Sequence, residues 1–337
     1  MADPTPGAAE GRAQPVLIHG LGRSGTSWLM KIFDHHPMVF ASHEPERFVP
    51  APRLEEAVDG TEEAAAARAY LDTLFAARPL RSMRKRPIRR KAYRSRMGHE
   101  LRRGLLYGLS ALERVLPGDA PLSAVEVPDL ADLSRAAMVV KSVSHQWLLD
   151  RVMPHVPDVR LIYLIRHPCG NVHSNLQGQS LSAMQQQYLP ARADLDRLYR
   201  FDKPAAELTE SDFDQLEILA YRWAVVNDRI CRALAGRENV RILRYEDLCA
   251  DPIGQARDLF AWTGLDWDPA CDAFLTASLV AEGDADGYHD LTRNPQVAAV
   301  KWQSEMPAEQ IARVLEIARP SAAFALFDET NVQARSA

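Results

Sequence analysis

With 337 residues, 47% hydrophobic and 25% charged, the chain has ordinary globular composition and room for one large domain or two smaller ones. Its net charge of −5 argues against wholesale nucleic-acid binding. No apolar run reaches the roughly 18 residues of a transmembrane helix, and residues 1–14, rich in Ala, Gly and Pro, lack the basic start and apolar core of a signal peptide and read as a disordered tail.

The first predicted element is a strand over 15–19. It feeds Gly20-Leu21-Gly22-Arg23-Ser24-Gly25-Thr26-Ser27, and a helical pattern opens at Trp28. A strand, a glycine-bearing loop and a helix N-terminus together aim backbone N–H groups at a phosphate. The spacing Gly20-x-x-x-x-Gly25 is that of a Walker A loop, but Thr26 stands where an NTPase needs Lys. The cation is Arg23, inside the loop. A single 5′-phosphate bearing another group therefore fits better than a triphosphate.

A second strand, 38–42, runs into Ser42-His43-Glu44-Pro45-Glu46. The stretch 51–136 is poorly patterned, with an Ala-rich helix over 61–78. Between Arg81 and Arg103 stand eleven basic residues against Glu100 alone. This segment reads either as a solvated helix face or loop, or as a surface for an anionic acceptor or an anionic membrane. Few aromatics interleave to stack bases, so no nucleic acid is expected.

A third strand, 137–141, ends in Lys141. A fourth, 159–165, ends at Arg166-His167-Pro168, and a helix follows with Ser174 two turns in. An Arg fork with a hydroxyl behind it suits a dianionic phosphate. The competing reading is an Arg bonding carbonyls at a strand end. The stretch 178–212 reads as a mobile insertion over the site. A last strand, 240–244, leads into Tyr245-Glu246-Asp247 and a helix after Asp251-Pro252. The acidic pair reads as a Walker B-like metal site, discounted without the Walker A lysine, or as helix caps. Strands alternating with helices predict an α/β fold: a mainly parallel sheet with helices on both faces and ligands beyond the carboxyl ends of the strands.

Three segments carry a family resemblance. The run Arg23-Ser24-Gly25-Thr26-Ser27-Trp28 resembles the 5′-phosphosulfate loop of sulfotransferases that use 3′-phosphoadenosine 5′-phosphosulfate (PAPS). Arg166-x-Pro168 with Ser174 resembles their 3′-phosphate motif, and Arg244-Tyr245-Glu246-Asp247-Leu248 followed by Asp251-Pro252 resembles a further family strand and helix. The likeness spans roughly 15–327 and is weak over 50–136. It implies a P-loop-type three-layer sandwich with helical insertions, as one domain over 15–330 followed by a tail, 331–337. The insertions 51–136 and 178–212 would shape the acceptor site.

The implied activity is transfer of the sulfuryl group from PAPS to an acceptor hydroxyl, releasing 3′-phosphoadenosine 5′-phosphate (PAP) and needing no metal. Sugar, lipid or glycolipid acceptors come first, phenols and amines second. The implied nucleotide site is Gly22, Arg23, Ser24, Gly25, Thr26, Ser27, Trp28, Arg166, Ser174 and Tyr245, with Arg293 and Lys301 from a tail lacking the cytosolic Arg-Lys-Gly signature. Trp28 fits an adenine-packing place or the core equally. Arg23 stands where cytosolic relatives carry a catalytic Lys, and carbohydrate-type relatives commonly carry Arg. It would stabilise the leaving oxygen, and Lys141 the sulfuryl oxygens. Cytosolic relatives place His where this chain has Val143, whereas Glu44-Pro45 resembles carbohydrate-type sulfotransferases, to which the chain is closer and in which an acid near this strand end serves as base; the resemblance implies Glu44 as the general base, then His145, then His43.

Two other readings stay open at this point. One is a P-loop small-molecule kinase or NTPase; the other is a non-catalytic nucleotide- or anion-binding module. Cys169, Cys231, Cys249 and Cys271 show no paired spacing, which predicts reduced thiols and a cytoplasmic protein, peripheral to a membrane if the basic segment serves one.

Overall fold

The computed structural model describes residues 13–85, 87–115, 122–181, 189–280 and 294–328. Five strands, β1 (Val16–His19), β2 (Val39–His43), β3 (Ala137–Lys141), β4 (Arg160–Ile165) and β5 (Val240–Arg244), form one sheet in the order β2-β3-β1-β4-β5. Every pairing is parallel. The helices are α1 (Thr26–His35), α2 (Gly60–Ala76), α3 (Leu80–Met83), α4 (Arg96–Val115), α5 (Leu149–Val152), α6 (Pro168–Leu181), α7 (Arg192–Leu198), α8 (Gln215–Leu234), α9 (Tyr245–Ala250), α10 (Pro252–Thr263), α11 (Pro269–Leu279), α12 (Pro295–Val300), α13 (Trp302–Glu305) and α14 (Ala308–Ala318).

The period of two along each strand divides the core. Val16 and Ile18 of β1, with Ile162 and Leu164 of β4, pack against α1, α10 and α11. Leu17, with Leu161, Tyr163 and Ile165, packs on the other face against α2, α5 and α8. Both faces of the sheet are thus covered, which is why its strands read as continuous apolar runs rather than as alternation. Helix starts follow their sequence signals: Asp59 accepts from Thr61 and Glu62 at α2, Asp214 and Glu217 form a capping box at α8, and Asp251 precedes Pro252 at α10.

The strands fall within one residue of expectation. β2 runs one residue further than predicted because His43 pairs with Lys141 in register. Much of the basic stretch is structural. Lys91 pairs with Asp34, Arg94 and Arg102 both pair with Asp129, and Arg84 pairs with Glu113. β1 sits between β3 and β4, so the chain passes over it in going from β3 to β4. That makes the crevice beyond the carboxyl ends of β1 and β4 the topological switch point, where open α/β sheets bind ligands.

Candidate active site

Two glycines set the loop after β1. Gly25 takes φ 92° at the start of α1, and a Cβ there would run into the Tyr245 ring. At Gly20 a Cβ would meet the Leu164 carbonyl, so the loop lies directly on β4. Among the described residues no side chain caps α1, which leaves its first N–H groups open at the loop. His19 pins the loop from below: Nδ1 accepts from the Gly20 N–H (2.8 Å) and Nε2–H donates to the Ser144 carbonyl (2.8 Å). Burial pushes the His19 imidazole down to about 3, so it is neutral in this role.

The residues expected at the two phosphate positions come together. Arg23 Nε donates to Ser174 Oγ at 3.1 Å. Arg166 donates from Nη1 to the Arg23 carbonyl (3.2 Å) and from Nη2 to the Ala298 carbonyl (2.7 Å), and its guanidinium lies 5.0 Å from the centre of the Tyr245 ring. Among the described residues the buried Arg166 Nε has no partner. Such an orphaned donor suits an anionic oxygen. Gly22, Arg23 and Ser27 are half-exposed along the loop, while Ser24 and Thr26 are buried beneath it.

Two asparagines of α6 that sequence reasoning missed hold the loop backbone. Asn171 Nδ2 donates to the Gly22 carbonyl (2.9 Å) and to Ser24 Oγ (3.1 Å), and Asn175 Nδ2 donates to the Asn171 carbonyl (2.9 Å). Their signal was the spacing of 171, 174 and 175, which puts all three on one helix face. Glu246 fastens the other side, its Oε1 accepting from the His167 N–H (2.9 Å) just before α6. Among the described residues no group of three or more His, Cys, Asp or Glu stands at metal-binding distance.

The remaining expected nucleotide residues have other contacts. Trp28, in the first turn of α1, is buried in the core, edge-on to Tyr245. Lys301 pairs with Glu305 (3.1 Å), which also takes His173 (3.0 Å). Arg293 lies outside the described residues.

The candidates for proton transfer occupy the ends of β2 and β3. Lys141 Nζ donates to Glu44 Oε1 at 2.5 Å, and Arg47 Nε donates to Glu44 Oε2 at 3.0 Å. Burial alone raises the Glu44 carboxyl. Lys141, through charge and hydrogen bond, and Arg47 outweigh it and hold the group at about 2. Glu46, not singled out from the sequence, is fully buried. Its Oε1 accepts from the Val143 N–H (3.1 Å), its Oε2 has no partner among the described residues, and burial pushes its carboxyl upward. Only the repeat of Glu either side of Pro45 hinted at it. His145 turns toward α2, where its Nδ1 meets the Tyr70 hydroxyl at 3.0 Å, and burial lowers its imidazole. His43 is buried in β2 and pushed down to about 3 by burial and by Lys141.

Among the described residues, the non-glycine positions with positive φ are Arg23 (69°), Glu44 (55°) and His145 (61°). Such backbone costs of order 1 kcal/mol per residue and persists where surrounding contacts over-determine it, commonly at functional sites. Beside the loop opens a cavity of about 710 Å³, bounded by Arg23, Val143, Trp147, Leu189, Leu219 and Arg222.

A family profile described as the sulfotransferase family matches residues 15–269. Human carbohydrate sulfotransferase 5 is 30% identical over 84 residues, 24% of this chain and 20% of its own. Human carbohydrate sulfotransferase 6 is 29% identical over 84 residues, 24% of this chain and 21% of its own. The chain thus aligns with about a fifth of the length of these curated relatives. The sulfotransferase domain from the curacin biosynthetic pathway superposes with a TM-score of 0.46 at 16% identity, covering 90% of this chain and 97% of that one.

Proposed function

The chain belongs to the sulfotransferase family, and from that membership we propose that it moves the sulfuryl group of PAPS to an acceptor hydroxyl and releases PAP. The observation that carries the reading is the meeting of the two phosphate positions: Arg23 on Ser174, and Arg166 on the Arg23 backbone. One bisphosphorylated nucleotide could engage both. The buried, unpartnered Arg166 Nε fits such an anion. A kinase reading is disfavoured by Thr26 in place of the Walker lysine.

PAPS, when bound, supplies an activated sulfuryl group whose departure leaves negative charge on a phosphate oxygen. We assign the 5′-phosphate to the N-terminus of α1 and to Gly22, Ser24, Gly25, Thr26 and Ser27, with Arg23 stabilising the leaving oxygen. We assign the 3′-phosphate to Arg166 and Ser174, with Tyr245 beneath. Lys141 is assigned to the sulfuryl oxygens. Glu44 is assigned to the acceptor proton: an anion that competes for Lys141 weakens the hold that keeps this carboxylate acidic, and its basicity rises. Glu46 is the second reading for the base, favoured by its unpartnered Oε2 and upward-shifted carboxyl. The cavity beside Arg23 would take an acceptor with an apolar part, and the carbohydrate-type relatives point to a sugar-bearing one. The four unpaired thiols support a reducing, cytoplasmic setting.

The test is a transfer assay with ³⁵S-labelled PAPS across sugar, lipid, glycolipid and phenol acceptors, alongside thermal shifts with PAP and with Mg²⁺–ATP. Stabilisation by PAP and label in an acceptor are expected. A response to Mg²⁺–ATP alone would overturn the reading.

A further inference from the structure

Helix α4 is packed inside out. The side it turns to the protein carries His99, Arg102 and Ser110 beside Leu106, all buried. Arg102 donates to the Pro128 carbonyl (3.1 Å) and pairs with Asp129 (3.3 Å). The opposite side carries Met97, Leu101, Leu105, Leu112 and Val115, with Gly104, Gly108 and Ala111 between them. These positions recur every three or four residues and form one stripe. Met97 is 73% exposed and Val115 79%. Soluble helices bury their apolar stripe, and contiguous exposed patches of this kind mark interaction surfaces.

The flank of the stripe identifies what it faces. Arg96, Arg103, Tyr107 and Arg114 recur along one border of the helix, and all are exposed. Arg90, also exposed, acts electrostatically on His99 in the first turn. Arg103 pairs with Glu100 at 2.6 Å, the one acid on this border. A cationic, Tyr-bearing edge beside an apolar stripe is the pattern of a helix lying in a bilayer interface. A two-fold pair of such faces would instead bring two sets of arginines into one interface.

We propose that α4 seats the protein on an anionic lipid surface, with its apolar stripe in the acyl boundary and its arginines among the lipid phosphates. A helix of 20 residues lies about 30 Å along such a surface. This proposal is independent of sulfuryl transfer.

Flotation of the full chain with phosphatidylcholine vesicles, and with vesicles containing phosphatidylglycerol, tests it. Binding is expected to the mixed vesicles and to weaken with salt. Leu101→Asp with Leu105→Asp should abolish flotation while leaving the circular dichroism and melting temperature unchanged, since both side chains are exposed. Arg96→Gln with Arg114→Gln should weaken binding to mixed vesicles by about fivefold per arginine. Failure to float with mixed vesicles overturns the proposal. So does a dimer in analytical ultracentrifugation that the Asp variants dissociate while flotation persists in them, because that assigns the stripe to a second copy.

Discussion

Among the described residues Arg166 makes two hydrogen bonds to carbonyls and keeps a third donor, Nε, without a partner. If that donor serves a 3′-phosphate, Arg166→Ala should weaken PAP binding roughly ten- to hundred-fold, as expected for hydrogen bonds to charged groups. Adenosine 5′-phosphosulfate, lacking that phosphate, should bind almost unchanged. Isothermal titration with both ligands decides it, and equal losses reject the assignment. Arg23→Ala should lower kcat more than it raises the KM for PAPS, because a contact to the leaving oxygen matters most in the transition state. A wild-type kcat in that variant removes Arg23 from the chemistry. Glu44 and Glu46 separate by pH. With Glu44 held at about 2 in the free protein, a Glu44 base leaves kcat/KM flat through the mildly acidic range. A Glu46 base, its carboxyl raised by burial, puts an acid limb above the ordinary carboxylate range. Glu44→Gln and Glu46→Gln should differ accordingly, with the true base costing about 10²–10⁴-fold in turnover. The meeting of Arg23, Arg166 and Ser174 was legible in the sequence because a strand end, a glycine loop and a helix start are local patterns. Glu46 and Asn171 were not legible as site residues: one matters through burial, the other through a contact across 149 positions to Gly22.

Helix α6 carries the site at the scale of an element. It presents Asn171, Ser174 and Asn175 on one face, and these hold the Gly22 carbonyl, Arg23 and Ser24. Asn171→Ala should loosen the loop without touching nucleotide directly. We expect a loss of about 1–3 kcal/mol in stability from the two bonds to the loop and a weaker PAP complex, read by chemical denaturation and by titration. Normal loop stability with impaired turnover would show that Asn171 acts otherwise. The strands and α6 were predicted closely because buried parallel strands and a Pro-led helix have strong local signals. The orientation of α4 was not. Its periodicity announces an amphipathic helix, but only tertiary contacts with Asp129 and Pro128 show that the polar side is the buried one.

For the molecule as a whole, buried histidines set the acid limit, His19 and His43 most strongly, with His35 and His167 lowered to about 4 beside them. Burial holds His19 and His43 at about 3 in the folded state, against about 6.5 when unfolded. Below pH 6.5 the unfolded chain therefore binds protons that the native one refuses, and stability falls as the pH drops toward 3. Each histidine contributes a slope of up to about 1.4 kcal/mol per pH unit. Melting temperature should decline steadily from pH 6.5 to pH 4, and a flat profile would mean these rings protonate without cost. The strand order has a different consequence, felt while the chain is being made. β1 pairs with nothing nearby in sequence: Val16 lies against Val139 on one side and Arg160 on the other. At roughly 5–20 residues per second, a ribosome needs on the order of ten seconds to deliver both partners. Throughout that interval the apolar segment leading into the glycine loop waits unpaired, open to strand addition from other chains or to capture by a chaperone. Stalled nascent chains that expose only residues up to 158 should be cleaved readily before Gly20 by a protease, and those exposing residues up to 270 should resist. The centre of the sheet is thus the first strand synthesised and among the last to be secured.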